Sequence, residues 1–430
     1  MITDLQATVK KDTLRSWRDK GLQKLLAPLA LVLIYLFFGF FGRNFFTYNT
    51  LVNILDASYV IGFLALGVTF VIITGGIDLS VGTVAMCAAI VGGTAFRTWG
   101  WQMGPSLILI MTVAMAFGIF NGIMVCKLKL PPFIATLGTM MISMGVGSIV
   151  SNVRSAAFPP RTDSAGWFRD IFKIITEDRT SLPTGALVLF GVTILFHIIL
   201  TRTKMGRYIF AIGSNKEAAR LSGVNVDRWE MSAYIIAGIS AGVSGIAFAA
   251  VYTTVMPGQG QGLELFAIAG AVIGGTSLSG GIGSVFGTLI GVFIMSVLRM
   301  GLPAMDLQAH YQTFFTGVVV IGAVLLDIYR NKKASEVKVL TAADQYRAEM
   351  IDKIDSLREG LKDLPADEQS KRKTEITRLK TELKSNFARL KKEEKERAAQ
   401  LLADEKAAER EYRELVKQEN KGGDSGSTTP

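Results

Sequence analysis

The stretch "TFVIITGGIDLSVGTVAM", from Thr69 to Met86, places one carboxylate, Asp78, between two apolar runs, just after the glycine pair Gly75 and Gly76. Long apolar runs separated by glycines and a lone acid are typical of helices that cross a membrane and turn back. The composition agrees, because 50% of the 430 residues are hydrophobic and the mean hydropathy is +0.36. The sequence therefore predicts a membrane protein.

Apolar runs of about 20 residues, the length that spans a bilayer, follow one another up to Arg330. They lie at 24–42, 51–73, 79–96, 105–126, 131–152, 185–201, 231–253, 264–280, 282–300 and 311–328. We therefore predict an all-α fold, a polytopic membrane helix bundle of about ten transmembrane helices.

The charged residues divide the chain near Arg330. The last 100 residues hold 23 of the 46 Lys and Arg and 21 of the 36 Asp and Glu. This shift predicts four regions: a cytoplasmic N-terminal segment at 1–24, a transmembrane domain at 25–330, a charged helical tail at 331–421 and a disordered C-terminus at 422–430.

Basic residues near span ends stay on the cytoplasmic side of a membrane. With ten spans, one side of the bundle receives 15 of the 23 basic residues that precede the tail, whereas the longest loop on the other side, 153–184, offsets five basic residues with four acids. We therefore predict a multi-pass protein with both termini in the cytoplasm.

The tail has apolar residues spaced by three and four. The first series is Met350, Ile354, Leu357, Leu361 and Leu364, and after Pro365 a second series is Ile376, Leu379, Leu383, Phe387 and Leu390, continued more weakly by Leu401, Ala408, Tyr412 and Leu415. Such a stripe between dense charges predicts a cytoplasmic coiled coil, folded back at Pro365. A solvated spacer without a partner is the alternative.

The opening motif has a second copy. "GGIDLSVG" (75–82) and "GGTSLSGG" (274–281) both fit GG-x-x-L-S-x-G, and each follows a span that runs toward the cytoplasm. The match indicates an internal duplication, which is common in transporters. Glycines spaced by four, as at Gly118 and Gly122 or Gly238 and Gly242, predict close helix packing.

The sequence lacks the common motifs for nucleotide binding, for metal-dependent catalysis and for thiol redox chemistry. There is no G-x-x-x-x-G-K-[ST] phosphate loop, no H-E-x-x-H and no C-x-x-C, and the two histidines and two cysteines are far apart. We therefore expect no catalytic, cofactor-binding or metal-ligating residues, no nucleic-acid partner and no enzymatic activity. The pattern favours a protein that moves a solute.

The loop from Arg202 to Glu230 predicts a short helix. Ser214 or Asn215 can cap its start, and Gly223 can end it with a positive φ. One interpretation is a solvated surface helix that shields the bundle, and the other is a docking element. Its candidate residues are Ser214, Asn215, Lys216, Glu217, Ala218, Ala219, Arg220 and Gly223.

Four stretches carry a resemblance. They are "NFFTYNTLVNILDASYVIGFLALGVTFVIITGGIDLSVG", "LKLPPFIATLGTM", "AIGSNKEAARLSGVNVDRW" and "AIAGAVIGGTSLSGGIGSVFGTLIGVFI". Over residues 25–330 the chain resembles the permease subunits of ribose, galactose and related monosaccharide ABC importers of the bacterial inner membrane. The short helix resembles their E-A-A-x-x-x-G loop, although I-x-L-P is absent after Gly223, and the tail has no counterpart in the family.

The resemblance implies partners. These are a second permease copy, homologous or identical, ABC ATPase subunits that use ATP and magnesium, and an extracytoplasmic sugar-binding protein. This chain itself is implied to bind no cofactor, to lie in membrane lipid and to alternate between outward and inward access. Docking of the E-A-A-type loop onto the ATPase is implied as the coupling contact, and the tail self-associates or docks onto the ATPase if it is not a spacer.

Polar and glycine residues near the predicted pathway form a second candidate set. Asp78 or Ser80 can cap the third span near the cytoplasmic surface, and Glu264 supplies charge to the first turn of the eighth. We favour capping over a substrate or proton site. The turn-motif candidates are Gly75, Gly76, Asp78, Ser80, Glu264, Gly274 and Gly275.

The alternatives on function are an ABC permease for nucleosides or another small polar solute, an ion-coupled secondary transporter, and a membrane scaffold organised by the tail. A secondary transporter needs ionisable groups in mid-membrane, whereas Asp56, Asp78, Glu264 and Asp327 all fall near predicted span ends. A scaffold leaves the 202–230 loop unexplained.

Overall fold

The computed structural model describes residues 27–178, 180–335, 342–359, 361 and 365–422. The predictions for 1–24 and 423–430 lie outside the described residues. The chain divides into two compact units, Met1–Lys332 and Lys333–Pro430. Each unit is described by itself.

In its described residues, the first unit is helical apart from four two-residue strands and the connections between elements. Its helices are α1 (Ala27–Phe41), α2 (Tyr48–Ile73), α3 (Val81–Arg97), α4 (Met103–Gly122), α5 (Pro132–Val150), α6 (Gly185–Arg202), α7 (Lys204–Ser214), α8 (Lys216–Leu221), α9 (Val226–Tyr252), α10 (Leu263–Ile273), α11 (Val285–Ala304) and α12 (Ala309–Ser335). A π-helical turn, Ile123–Lys127, extends α4.

Six of these helices are long and apolar enough to cross a membrane: α2, α4 with its extension, α5, α6, α9 and α11. Four shorter apolar helices accompany them in α1, α3, α10 and the segment Thr313–Tyr329 of α12. Each predicted apolar run therefore overlaps a helix of the described chain, which confirms a polytopic helical bundle. The number of crossings stays a prediction.

Helix α2 is the centre of the bundle. Every residue from 56 to 74 is buried, because α9, α10, α11 and α6 pack around it. A helix that is apolar on all sides, with no polar face to turn toward solvent, is suited to such a central position.

Glycines bring the helices into backbone contact. A Cβ added to Gly238 would lie 2.7 Å from Ala114 O, and one added to Gly118 would lie 2.6 Å from Tyr234 O. Between α10 and α11, a Cβ on Gly291 would lie 1.9 Å from Gly270 O. The glycine spacing of four therefore marks close helix contacts, as predicted.

Helix α10 begins inside the bundle. Strand β4 (Thr254–Val255) pairs with β1 (Ala156–Ala157) beside Gly93 of α3, whereas Gly260 already touches Gly82 of the same helix. Residues 82 and 93 are separated by a rise of about 16 Å along α3. The predicted span 264–280 is therefore wrong in its second half, because α10 ends at Ile273, where a glycine turn begins.

The segment 153–184 closes the end of the bundle where α2 begins. It contains a 3₁₀ helix, Ser164–Ile171, and a hairpin of β2 (Ile174–Ile175) and β3 (Ser181–Leu182). Buried Arg169 donates to Ala250 O at 2.9 Å, and Lys173 Nζ lies 2.7 Å from Asp56 Oδ2. We call this end of the bundle, with segment 153–184, the strand end. We call the opposite end of the bundle, where α8 lies, the α8 end.

The second unit is a helical hairpin. Helices α13 (Ala342–Arg358) and α14 (Ala366–Gly422) flank Pro365, where the sequence predicted an interruption. Apolar side chains pack between them, namely Tyr346, Met350, Ile354, Leu357, Ile376, Leu379 and Leu383. Asn386 Nδ2 donates to Tyr346 Oη at 3.0 Å. Leu364 and the side chains from 401 onward lie outside the described part, and the coiled coil stays a prediction.

Substituting Gly238 with alanine tests the packing of α4 on α9. Its Cβ meets the backbone of α4, so Gly238→Ala is expected to cost about 1–3 kcal/mol by overpacking. Gly138 on α5 has nothing within 4 Å of an added Cβ, and Gly138→Ala is expected to leave stability unchanged or to raise it by up to about 1 kcal/mol. Thermal unfolding of both variants in detergent measures the difference, and equal midpoints would contradict this packing.

Candidate functional site

The predicted loop helix is present as α8. Asn215 is both the C-cap of α7 and the N-cap of α8. Its N–H donates to Ala211 O at 3.0 Å, and its Oδ1 accepts from Ala218 N at 2.9 Å. Gly223 has a φ of +81° and donates to Arg220 O, while Val224 N donates to Ala219 O. This pair of bonds is the Schellman motif, which needs a left-handed residue at the position of Gly223.

One face of α8 is held against the bundle. Ala219 is 6% exposed and packs with Ile212 and Val226, so it lies against this chain's own helices and is not free to enter a partner's cleft. Lys216 Nζ lies 2.7 Å from Glu230 Oε2 on α9. These contacts fix the orientation of α8 because they hold one face of it against both α7 and α9.

The opposite face of α8 is open. Glu217, Ala218, Arg220 and Leu221 are exposed, and Arg220 donates to Glu217 at 2.9 Å. Leu221 is 89% exposed. Leu221 and the neighbouring charged pair are therefore open to contact by another protein. We call these four residues the α8 face. Sequence analysis did not single out Leu221.

Two glycine turns lie at the α8 end. The first, Thr74–Ser80, joins α2 to α3, and the second, Gly274–Ser284, joins α10 to α11. Each helix ends in a Schellman motif, with left-handed φ values of +83° at Gly75 and +95° at Gly275. The two motifs therefore correspond through Gly75 and Gly275, one residue out of step with the GG-x-x-L-S-x-G match, which aligned Gly75 with Gly274. The duplication stays a prediction.

Asp78 stabilises the first turn. Its Oδ1 accepts from Ser80 N at 2.9 Å and from Ser80 Oγ at 2.6 Å. Asn121 donates to Ser80 Oγ at 2.8 Å, and Thr139 donates to Asn121 at 2.6 Å. Thr139 is two turns into α5, about 10 Å from its start. Asp78 is 2% exposed, so its carboxylate is buried among the helices, and its position relative to the cytoplasmic surface stays a prediction.

Asp327 of α12 does the same for the second turn. Its Oδ2 accepts from Leu278 N at 3.0 Å and from Ser277 Oγ at 3.2 Å. Sequence analysis placed Asp327 near a span end but gave it no role. Asn121, a polar residue within an apolar run, was the only sequence signal for the network around the first turn.

The two turns touch each other and the end of α7. Gly281 N donates to Ile73 O at 2.9 Å. Gly213 packs directly against this hydrogen bond, because a Cβ on Gly213 would be 1.8 Å from Ile73 O and 2.4 Å from Gly281 N. A Cβ on Gly280 would lie 2.9 Å from Gly213 O and 3.1 Å from Gly75 N. Turns far apart in sequence thus meet at one backbone contact, which we call the turn junction.

Glu264 lies apart from the turn junction. It is 5% exposed in the first turn of α10, and its Oε1 accepts from Gly262 N at 2.9 Å. Its Oε2 lies beside Gly82, where an added Cβ would be 2.7 Å away. The carboxylate is therefore inside the bundle and not at the strand end, where a full eighth span would place it.

A metal centre has no support in the part of the chain that the structure describes, which holds no group of three potential His, Cys, Asp or Glu ligands. Cys87 and Cys126 are buried and unpaired.

The helix bundle, with six described helices long and apolar enough to cross a membrane, defines a multi-pass membrane protein. Residues 50–324 match the family model of the permease component of branched-chain amino acid transport systems. The chain belongs to this family of permease components of ABC importers.

Three relatives show the extent of the similarity. The ribose import permease protein of Escherichia coli strain K12 is 36% identical over 325 residues, which are 74% of this chain and 96% of that protein. The fructose import permease protein of Rhizobium meliloti is 33% identical over 311 residues, 71% of this chain and 86% of that protein. The autoinducer 2 import system permease protein of Yersinia pseudotuberculosis is 31% identical over 302 residues, 70% and 83%.

The carboxylate of Asp78 can be tested against a surface equivalent. Asp78→Ala removes the buried acceptor of Ser80 N and Ser80 Oγ and is expected to cost about 1–3 kcal/mol. Asp163 accepts from Ala165 N at 2.9 Å in the same local geometry but is exposed, so Asp163→Ala is expected to cost about 1 kcal/mol or less. Thermal unfolding in detergent compares them, and an equal loss would show that burial of Asp78 does not matter.

Proposed function

We propose that this chain is the transmembrane permease subunit of an ABC importer that moves a monosaccharide of the ribose class into a bacterial cell. The observation that carries the proposal is the alignment to a ribose import permease over 96% of that protein. The absence of a phosphate loop from the sequence supports a division of labour in which ATP and magnesium are used by a separate ATPase subunit.

The proposed arrangement follows from the two ends of the bundle. The α8 end faces the cytoplasm of a bacterial inner membrane, with both termini on that side and about ten crossings in total. The α8 face binds the ATPase, and the 153–184 segment at the strand end faces the sugar-binding protein. A second permease copy completes the transporter, and the tail forms its coiled coil in the cytoplasm.

The α8 face suits this role for a physical reason. A coupling element must protrude and must also transmit force without bending. Helix α8 presents Leu221 and a charged pair outward, while Ala219 and the Lys216–Glu230 ion pair anchor it to α7 and α9. Rigid anchoring on one side and an apolar contact on the other meet both demands.

Reconstitution tests the proposal directly. In liposomes that hold this chain, its ATPase subunit and the sugar-binding protein, labelled ribose is expected to accumulate only when ATP is present on the ATPase side. The chain alone is expected to hydrolyse no ATP and to accumulate no ribose. Uptake by the chain alone under an ion gradient would establish a secondary transporter. ATP-driven uptake of fructose or a nucleoside with no uptake of ribose would replace the proposed substrate.

Leu221 tests the docking surface. Leu221→Asp puts a charge into an apolar contact and is expected to weaken ATPase binding by about 2 kcal/mol or more, as at an interface hot spot. Leu128 is 59% exposed and follows the extension of α4, and Leu128→Asp is the matched control, expected to keep binding. Co-purification and titration in nanodiscs measure both. Normal binding by Leu221→Asp would exclude the α8 face as the docking surface.

A further inference from the structure

We propose that Gly213 is the positioning residue through which movement of α8 reaches the two glycine turns and hence the central helices. The inference rests on the proposed function, because it assumes that an ATPase moves α8. It goes beyond that function by naming the contact that carries the movement into the bundle.

The first step is the joint between α7 and α8. Asn215 alone separates the two helices, and it is bonded to both, to Ala211 O at 3.0 Å and to Ala218 N at 2.9 Å. Ile212 of α7 and Ala219 of α8 share one apolar cluster. Helices α7 and α8 are therefore expected to move together as one rigid unit. Gly213 lies only three residues before the start of α8.

The second step is the contact that Gly213 makes. Its Cα lies against the hydrogen bond from Gly281 N to Ile73 O, with space for hydrogen but not for carbon. The neighbouring Ser214 also packs against this turn, since a Cβ on Gly281 would lie 2.6 Å from Ser214 Oγ. Backbone atoms in direct contact transmit displacement with little slack, because packed interiors are nearly incompressible.

The third step is what the turns control. The first turn joins α2 to α3, and the second joins α10 to α11, so four of the central helices change direction at the turn junction. Each turn is fixed by one carboxylate, Asp78 or Asp327, which makes it a rigid unit rather than a loose loop. A displacement of Gly213 therefore shifts helix ends and is not absorbed by a flexible loop.

A matched control lies on the same helix. Gly206 of α7 is as crowded as Gly213, since its Cβ would lie 1.9 Å from Leu200 O. That contact belongs to the local turn between α6 and α7 and does not involve the glycine turns. Gly206→Ala therefore strains α7 to a similar degree and leaves the turn junction untouched.

The experiment uses the complete importer in nanodiscs and in liposomes. Gly213→Ala is expected to keep ATPase binding and ATP hydrolysis. Uptake per ATP is expected to fall by roughly tenfold or more, a fold-change typical of the coupling between two distant sites. Gly206→Ala is expected to lower the unfolding temperature while uptake per ATP stays normal. Normal uptake per ATP in Gly213→Ala, or an equal loss in both variants, overturns the inference.

Amide hydrogen exchange gives a second readout that needs no substrate. In the wild-type complex, adding a non-hydrolysable ATP analogue is expected to change the exchange of residues 74–80 and 277–281 and not that of the distant loop 98–102. In Gly213→Ala this change is expected to be lost. If wild type shows no change at the two turns, the inference fails even where the variant does not assemble.

The two readouts separate this inference from the proposed function. A wild-type complex that takes up no ribose but shows the nucleotide-dependent exchange at both turns refutes the substrate and supports the role of Gly213. A wild-type complex that takes up ribose without that exchange supports the function and refutes the role.

Discussion

The structure depends on the need to pair every backbone N–H and C=O group that is removed from water. Inside a membrane protein an unpaired group costs several kcal/mol, so a helix cannot simply stop within the bundle. Helix α2 nevertheless ends at a buried residue, Ile73, and α10 ends directly after the buried residues Ala271 and Val272. Schellman motifs at Gly75 and Gly275 pair the last carbonyls, and the bond from Gly281 N to Ile73 O pairs one more.

The same need explains where the buried acids lie. Asp78 and Asp327 each accept a backbone N–H that no helix or strand satisfies, at Ser80 and Leu278. Glu264 accepts from Gly262 N at the start of α10. Three carboxylates that lie in or beside apolar runs of the sequence thus have structural hydrogen-bond roles in the fold. This observation agrees with a transporter powered by a partner rather than by a coupling ion.

Much of the architecture was predictable from local chemistry. Apolar run lengths located the helices, and the cap at Asn215 and the stop at Gly223 located α8, because caps and left-handed glycines act within a few residues. The interruption at Pro365 follows from the same local rules. The family was predictable because several long motifs occur in order between residues 44 and 294.

What was missed depends on residues distant in sequence. Run length could not show that α10 starts beside Gly82, because the loop that precedes it enters the bundle only by packing on α3. Composition could not show that Ala219 faces inward while Leu221 faces outward, since both fit a short exposed helix. The contact of Gly213 with Ile73 and Gly281 joins three segments spread over more than 200 residues, and a single sequence carries no signal for it.

The burial of α2 from residue 56 onward has a consequence for how the protein is made. Helix α2 is synthesised early, yet α9, α10 and α11, which enclose it, follow only after residue 225. Until then its surface must rest against lipid or the insertion machinery, and afterwards against protein. A helix apolar on every side satisfies both environments in turn. Assembly therefore ends with the late helices displacing lipid from an early one, and truncation after α8 leaves the central helix in contact with lipid.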